Sequence, residues 1–145
     1  MDKQLKELVD GLNEDLSHEY GAAIQYTYSA AVVSGLYRSA LKPFFEAEVA
    51  DELGHALYLS EKIKSLGGTP TTTATQPPQV TEVKDLLAET MKAEKDTIER
   101  YEIRKKQAED LGFTELVVKL EDIIADETHH KEEMERLLED PRLSN

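Results

Sequence analysis

The sequence contains no cysteine. This excludes disulfides, zinc–thiolate sites, cysteine-ligated iron–sulfur clusters and a cysteine nucleophile, so any metal must rest on histidine and carboxylate. Basic residues are few: 17 Lys and Arg stand against 30 Asp and Glu, for a formal net charge of -13. Such a balance opposes binding to nucleic acid and to an anionic membrane, and cations are the expected partners. No run of about 18 apolar residues is present to span a bilayer. The start, "MDKQLKELVDGLNEDL", lacks the basic-then-apolar order of a secretion signal, so the expected location is the cytoplasm. Sustained strand-like alternation is also missing.

What the chain does have is helical periodicity, over roughly 3–34, 38–66, 81–111 and 113–138. The fold class is therefore all-α, and 145 residues suit a single domain, 1–145, with one core. In the second segment the apolar seam runs Phe45, Val49, Ala56, Leu59, Ile63 and Leu66, with Glu52 where an apolar residue belongs. In the fourth it runs Phe113, Val117, Leu120, Ile124, Met134 and Leu138, with Glu127 in the gap and Lys131 as its weak point.

The two gaps carry the same phrase. Residues 50–55 read "ADELGH" and residues 125–130 read "ADETHH", an offset of 75. The first seam, Leu12, Leu16, Glu19, Ala23 and Tyr26, maps by the same offset onto Leu87, Met91, Glu94, Ile98 and Tyr101 in the third segment. The chain thus reads as two pseudo-repeats, about 3–66 and 81–138, each a helix–turn–helix unit, related by a two-fold axis inside a bundle. Gly35 and Gly112 punctuate the short turns, so helices 1 and 2 are antiparallel, as are 3 and 4. Between the units, "GGTPTTTATQPPQVT" (67–81) has no helical period and holds three of the 5 prolines. A 28-residue helix is about 42 Å long, and fifteen extended residues reach about 50 Å. A crossover loop, 67–80, can therefore run the height of the bundle and leave helices 2 and 3 parallel.

Glu19, Glu52, Glu94 and Glu127 lie near the middle of their helices and meet at one level on the axis. In each phrase Glu and His are three residues apart, so His55 and His130 share a helix face with Glu52 and Glu127. Four buried carboxylates need compensation, since each desolvated charge costs several kcal/mol. Two divalent cations would neutralise them, so the six residues are the candidate metal ligands and catalytic residues. Tyr26 and Tyr101, two turns beyond Glu19 and Glu94, either fill the core or donate to a ligand. Asp51 and Asp126 read as outer-face acids that could also orient an imidazole. Glu48, His18 and His129 read as surface residues.

With "EYGAAIQY" (19–26), "ADELGHA" (50–56), "IKSLGGTP" (63–70) and "ADETHH" (125–130), the chain resembles the ferritin-like di-iron carboxylate superfamily, in its bacterioferritin-like branch, with rubrerythrins as second choice. The resemblance implies a ferritin-like four-helix bundle with one long crossover between helices 2 and 3. It implies that Glu19, Glu52 and His55 bind one iron and Glu94, Glu127 and His130 the other, with Glu52 and Glu127 bridging. The activity it implies is oxidation of Fe(II) by dioxygen or peroxide, for iron storage or detoxification. Manganese suits the same ligands.

Departures from the family pattern temper these expectations. Leu53 stands where bacterioferritins carry the haem-ligating Met, so haem is not expected. No fifth helix follows "LEDPRLSN", which argues against a 24-subunit shell, and Thr97 replaces the further carboxylate of rubrerythrins. A peroxide reductase, another di-iron or di-manganese oxidoreductase, and a non-catalytic metal-binding bundle remain as alternatives; DNA protection of the mini-ferritin kind ranks below them. A homo-oligomer, at least a dimer, is expected through apolar residues off the seam: Tyr28, Val32, Leu36 and Tyr37.

Overall fold

A computed structural model describes residues 1–143 of the chain. Four long helices make up the bundle: α1 (Lys3–Val32), α2 (Arg38–Ser65), α3 (Val83–Asp110) and α4 (Thr114–Leu138). A three-residue helical turn, Gly35–Tyr37, joins α1 to α2, and another, Pro141–Leu143, follows α4. Asp2 opens α1 by accepting the Leu5 N–H at 3.3 Å, which satisfies one of the free donors of the first turn. Lys62 and Lys64 sit in the last turn of α2, where the helix dipole favours positive charge. Among the described residues no helix is long and apolar enough to cross a membrane.

The helices pack as two hairpins, α1 on α2 and α3 on α4, held together chiefly by α1 against α3. The connection at 66–82 is fastened along α1. Asn13 accepts the Thr71 N–H at 2.8 Å and donates to the Thr69 carbonyl at 3.1 Å. Thr75 N–H donates to the Ser17 carbonyl at 3.1 Å, and the Tyr28 hydroxyl donates to the Val80 carbonyl at 2.9 Å. Gly21 makes this approach fit: a Cβ at that position would stand 1.9 Å from Thr75 Oγ1 and 2.9 Å from its carbonyl oxygen.

The apolar core forms two clusters. One gathers Leu8, Leu12, Leu16, Leu59, Ile63, Tyr101, Leu116 and Leu120; the other gathers Tyr26, Val33, Leu41, Phe45, Leu86, Leu87 and Met134. Burying each large side chain stabilises the fold by about 1.5–3 kcal/mol.

The seams depart from the sequence reading by one step at several places. On α2 the buried line runs Leu41, Phe45, Glu48, Glu52, His55, Leu59, Ile63, with Val49 only half-buried. On α4 it runs Leu116, Leu120, Ile123, Glu127, His130, Met134, so the seam passes through His130, and Lys131 pairs with Glu135 outside it. Glu48, expected at the surface, is 5% exposed. The apolar surface also lies elsewhere than expected. Leu36 is exposed, but Val32 and Tyr37 pack half-buried against the second cluster, and the exposed apolar residues of α1 and α2 are Ile24, Leu53 and Leu57.

Candidate metal centre

Each helix delivers its carboxylate because Glu takes a seam position that would otherwise hold an apolar side chain. Glu19, Glu52, Glu94 and Glu127 are at most 2% exposed, and His55 and His130 are 7% and 6% exposed. Ligand atoms of Glu19, Glu52 and His55 lie within 4.8 Å of one another, as do those of Glu52, Glu94, Glu127 and His130. Glu52 thus belongs to both groups. Glu127 Oε1 lies between the imidazoles, 3.5 Å from His55 Nδ1 and 4.0 Å from His130 Nδ1.

Two tyrosines hold the outer carboxylates from behind. The Tyr26 hydroxyl on α1 donates to Glu94 Oε1 on α3 at 2.5 Å, and the Tyr101 hydroxyl on α3 donates to Glu19 Oε1 on α1 at 2.5 Å. These are charge-assisted bonds at the short end of the normal range. Each uses one oxygen and leaves the other: Glu19 Oε2 and Glu94 Oε2 are buried without a hydrogen-bond partner, as are Glu52 Oε1, both Glu127 oxygens and His55 Nδ1. Buried polar atoms are nearly always satisfied, so this concentration of free lone pairs on one level is what a cation site requires. Four carboxylates and two imidazoles, hard and borderline donors, suit two iron or manganese ions.

The exposed acids behave reciprocally. Asp126 on α4 approaches His55 Nε2 on α2 at 3.5 Å, and Asp51 on α2 approaches His130 Nε2 on α4 at 3.7 Å. His129 is exposed. His18 is half-buried and lines a cavity of about 220 Å³ between α1, α3 and the 75–78 segment, whose wall also includes Tyr26, Glu94, Thr97 and Arg100.

Protonation reflects the crowding. Burial, with the Glu19 charge second, pushes the Glu52 carboxyl well above its usual range and Glu127 up to about 7. Burial also works to raise Glu19, but His55, Glu52 and Tyr101 outweigh it and hold that carboxyl below its usual value. Burial works to lower both imidazoles, yet Glu19 and Glu127 raise His55, while Glu48 and Glu127 raise His130. Both tyrosines are pushed well above the usual phenol value, by burial first and carboxylate charge second, and so remain donors.

Three buried charged residues escaped the sequence reading. Glu48 Oε2 lies 2.7 Å from His130 Nδ1. Asp15 and Arg104 form a buried two-bond pair between α1 and α3, with Nε to Oδ2 at 2.7 Å and an Nη2 to Oδ1 bond at 3.2 Å. The available signal was spacing: Glu48 is four residues before Glu52, and Asp15 four before Glu19, so each shares its face.

The ferritin family model, a ferritin-like domain, matches residues 9–144. The chain belongs to the ferritin-like family. This ferritin-like protein is similar to a ferritin-like di-iron-carboxylate protein from Bacillus anthracis, with 59% identity, a TM-score of 0.94, and coverage of 95% of this chain and 99% of that one. It is also similar to the dodecameric thioferritin of Bacteroides fragilis, a bacterioferritin-related protein, at 26% identity and a TM-score of 0.85, over 94% and 86% of the two chains. The bacterioferritin of Desulfovibrio desulfuricans, known with its di-iron site in different catalytic states, matches at 26% identity and a TM-score of 0.85, over 97% and 86%. These likenesses place the chain in the bacterioferritin-like branch of the ferritin-like di-iron proteins. No curated protein sequence matches it.

Proposed function

We propose that this ferritin-like protein binds a pair of iron ions at Glu19, Glu52, His55, Glu94, Glu127 and His130 and oxidises Fe(II) with dioxygen or peroxide. The observation that carries the proposal is the set of free, buried ligand atoms on four helices, with the second oxygens of Glu19 and Glu94 left open by the tyrosines. In this reading Glu19, Glu52 and His55 hold one ion and Glu94, Glu127 and His130 the other, and Glu52 and Glu127 stand between them. Bound there, the pair supplies one-electron redox chemistry, each Fe(II) passing one electron to the oxidant. Tyr26 and Tyr101 fix the outer carboxylates and Asp51 and Asp126 orient the imidazoles, while the apolar clusters on either side exclude water. The cavity between α1 and α3 offers the oxidant a way to the face formed by Tyr26 and Glu94.

An aerobic Fe(II) titration tests this. Expected are oxidation faster than in buffer alone and a break at two irons per chain; oxidation at the buffer rate would overturn the proposal, and redox-silent retained metal would favour a purely structural pair. The same reading includes a homo-oligomer, supported by the dodecameric relative and by an apolar groove of about 560 Å³ lined by Tyr20, Ala23, Ile24, Tyr28, Val49 and Leu53. A mass of one chain in solution at micromolar concentration would count against it.

A further inference from the structure

The cavity between α1, α3 and the 75–78 segment is walled by repeat-related residues that differ in chemistry. Adding 75 to three residues of its α1 wall gives three of its α3 wall: Gly21 becomes Asp96, Ala22 becomes Thr97 and Gln25 becomes Arg100. The α1 side is small apart from one amide, and the α3 side supplies a hydroxyl and charge. Tyr26 and Glu94, joined by their 2.5 Å bond, form another part of the same wall.

Two of these side chains have polar atoms to spare. Gln25 is 7% exposed, yet among the described residues its amide has no hydrogen-bond partner. Buried polar groups are nearly always satisfied, so the amide calls for a partner inside the cavity. Arg100 donates from Nη2 to Thr97 Oγ1 at 2.9 Å, but its Nε is buried without a bond, 3.7 Å from an Asp15 oxygen that Arg104 already takes at 3.2 Å. The exposed Lys92, also in the wall, makes no ion pair among the described residues. An amide and a guanidinium with free N–H groups match a carboxylate, whose two oxygens accept from both. Glu89, Asp96 and Glu94 share the wall, so a second negative charge on the ligand would be repelled, which favours a carboxylate over a phosphate dianion. The volume of about 220 Å³ suits a short molecule, since a water-sized group takes about 30 Å³.

We propose that this cavity binds a small monocarboxylic acid, its carboxylate held by Gln25 and Arg100 and its short chain lying against Ala22, Ala93 and Pro77. Bound there, the acid closes the way to Tyr26 and Glu94 and slows Fe(II) oxidation. That effect rests on the oxidative reading above; the binding does not.

Calorimetric titration of the metal-free protein with butyrate tests the binding, with butyramide and inorganic phosphate as comparison ligands, on the unmodified chain, Gln25→Leu, Arg100→Gln and the exposed control Lys84→Gln. Expected is one butyrate per chain in the unmodified protein and the control, bound at least tenfold more tightly than butyramide or phosphate, and at least tenfold more weakly in the two cavity variants. Gln25→Leu removes a buried amide and leaves the Asp15–Arg104 pair intact, so it should unfold at no lower temperature than the unmodified protein and serves even if Arg100→Gln does not fold. No butyrate binding, butyramide or phosphate bound as tightly, or undiminished binding in Gln25→Leu would overturn the site. In aerobic Fe(II) oxidation, saturating butyrate should slow the unmodified protein and spare Gln25→Leu; equal slowing of both, which would mean that the acid acts on free iron, or slowing of neither, would overturn the closure. Oxidation at the buffer rate without butyrate would overturn the oxidative reading, and the closure with it, while the binding result stands.

Discussion

The Tyr101 hydroxyl on α3 reaches across the bundle to Glu19 on α1, and its counterpart 75 residues earlier, Tyr26 on α1, reaches back to Glu94 on α3. The two phenols bind the two hairpins through the carboxylates they orient. Removing either hydroxyl would leave an oxygen of Glu19 or Glu94 without its donor and free that carboxylate to turn. Tyr101→Phe and Tyr26→Phe are expected to weaken metal binding or slow Fe(II) oxidation by about 10–100-fold each, in the range seen for groups that support ligands. Each should cost about 1.5–3 kcal/mol of stability in the metal-free protein. Metal titration and chemical unfolding of the two variants check this, and Tyr101→Phe with unchanged affinity and stability would contradict it.

In the proposed pair Glu52 and Glu127 stand between the two ions, so either one removed should disturb both. Glu52→Ala and Glu127→Ala are expected to lose at least one metal per chain and to oxidise Fe(II) at least tenfold more slowly, a rise of about 1.4 kcal/mol or more in the barrier. The exposed Glu132→Ala should behave as the unmodified protein. Metal content after gel filtration, with initial oxidation rates, decides the matter.

The pH dependence of the metal-free protein follows from the signs of the shifts. Glu127, raised from 4.5 to about 7, keeps a proton in the folded state that the unfolded chain has lost, and Glu52 is raised in the same direction. Folding therefore becomes less favourable as pH rises through that window. His55 and His130 are raised above 6.5, so their contribution is full below that value and is lost as pH rises through their folded pKa values. Glu19, lowered from 4.5, acts oppositely: its contribution is present above 4.5 and is lost as pH falls through its folded value. The metal-free protein should thus be more stable at about pH 5.5 than at about pH 7.5. Added Mn(II) should reverse that order, because protons compete with metal at low pH and are displaced by it near neutrality. Thermal unfolding at the two pH values, with and without Mn(II), provides the check; a metal-free stability that rises between them would refute the assignment.

The connection along α1 gives a fourth expectation. Gly21→Ala would place a methyl 1.9 Å from Thr75 Oγ1 and 2.9 Å from its carbonyl oxygen. The side chain can rotate away but the backbone must shift, so a loss of about 1–3 kcal/mol is expected. Because the 75–78 segment also walls the cavity beside Glu94, the variant should change oxidant access as well as stability. Denaturant unfolding and a comparison of oxidation rates with small and bulky peroxides would show both effects or neither.

Much of this was legible in the letters. The expected helices 3–34, 38–66, 81–111 and 113–138 correspond to α1 to α4 with ends differing by at most two residues, because capping residues, glycines and periodicity act locally. The four glutamates were visible because each takes an apolar seam position and recurs after 75 residues, and the two histidines because each follows its glutamate by three in the repeated phrase. Glu48 was not, for the converse reason. A seam read from apolar letters prefers Val49, its neighbour, just as it prefers Lys131's position to His130 on α4. A polar residue enters a core only where a partner waits, and for Glu48, Asp15 and Arg104 the partner is on another helix, at a separation no local pattern encodes. The exposed apolar face was displaced likewise: Val32 and Tyr37 found cover within the chain, while Ile24, Leu53 and Leu57 did not.

The partition of the proposed ligands between the hairpins has a kinetic consequence. Glu19, Glu52 and His55 belong to the α1–α2 hairpin and Glu94, Glu127 and His130 to the α3–α4 hairpin. Contacts within a hairpin are near in sequence and close quickly, whereas the docking of the hairpins is the long-range event and the slower one. It is also the event that brings four carboxylates to one level, so it proceeds against mutual repulsion until protons or cations arrive. Divalent metal should then act on the pathway as well as on the product, raising the refolding rate where a ligand of the finished fold alone would only slow unfolding. Stopped-flow refolding with and without Mn(II) separates the two: acceleration of the folding limb means that the ion gathers the hairpins, and an effect confined to the unfolding limb means that it arrives after they have met.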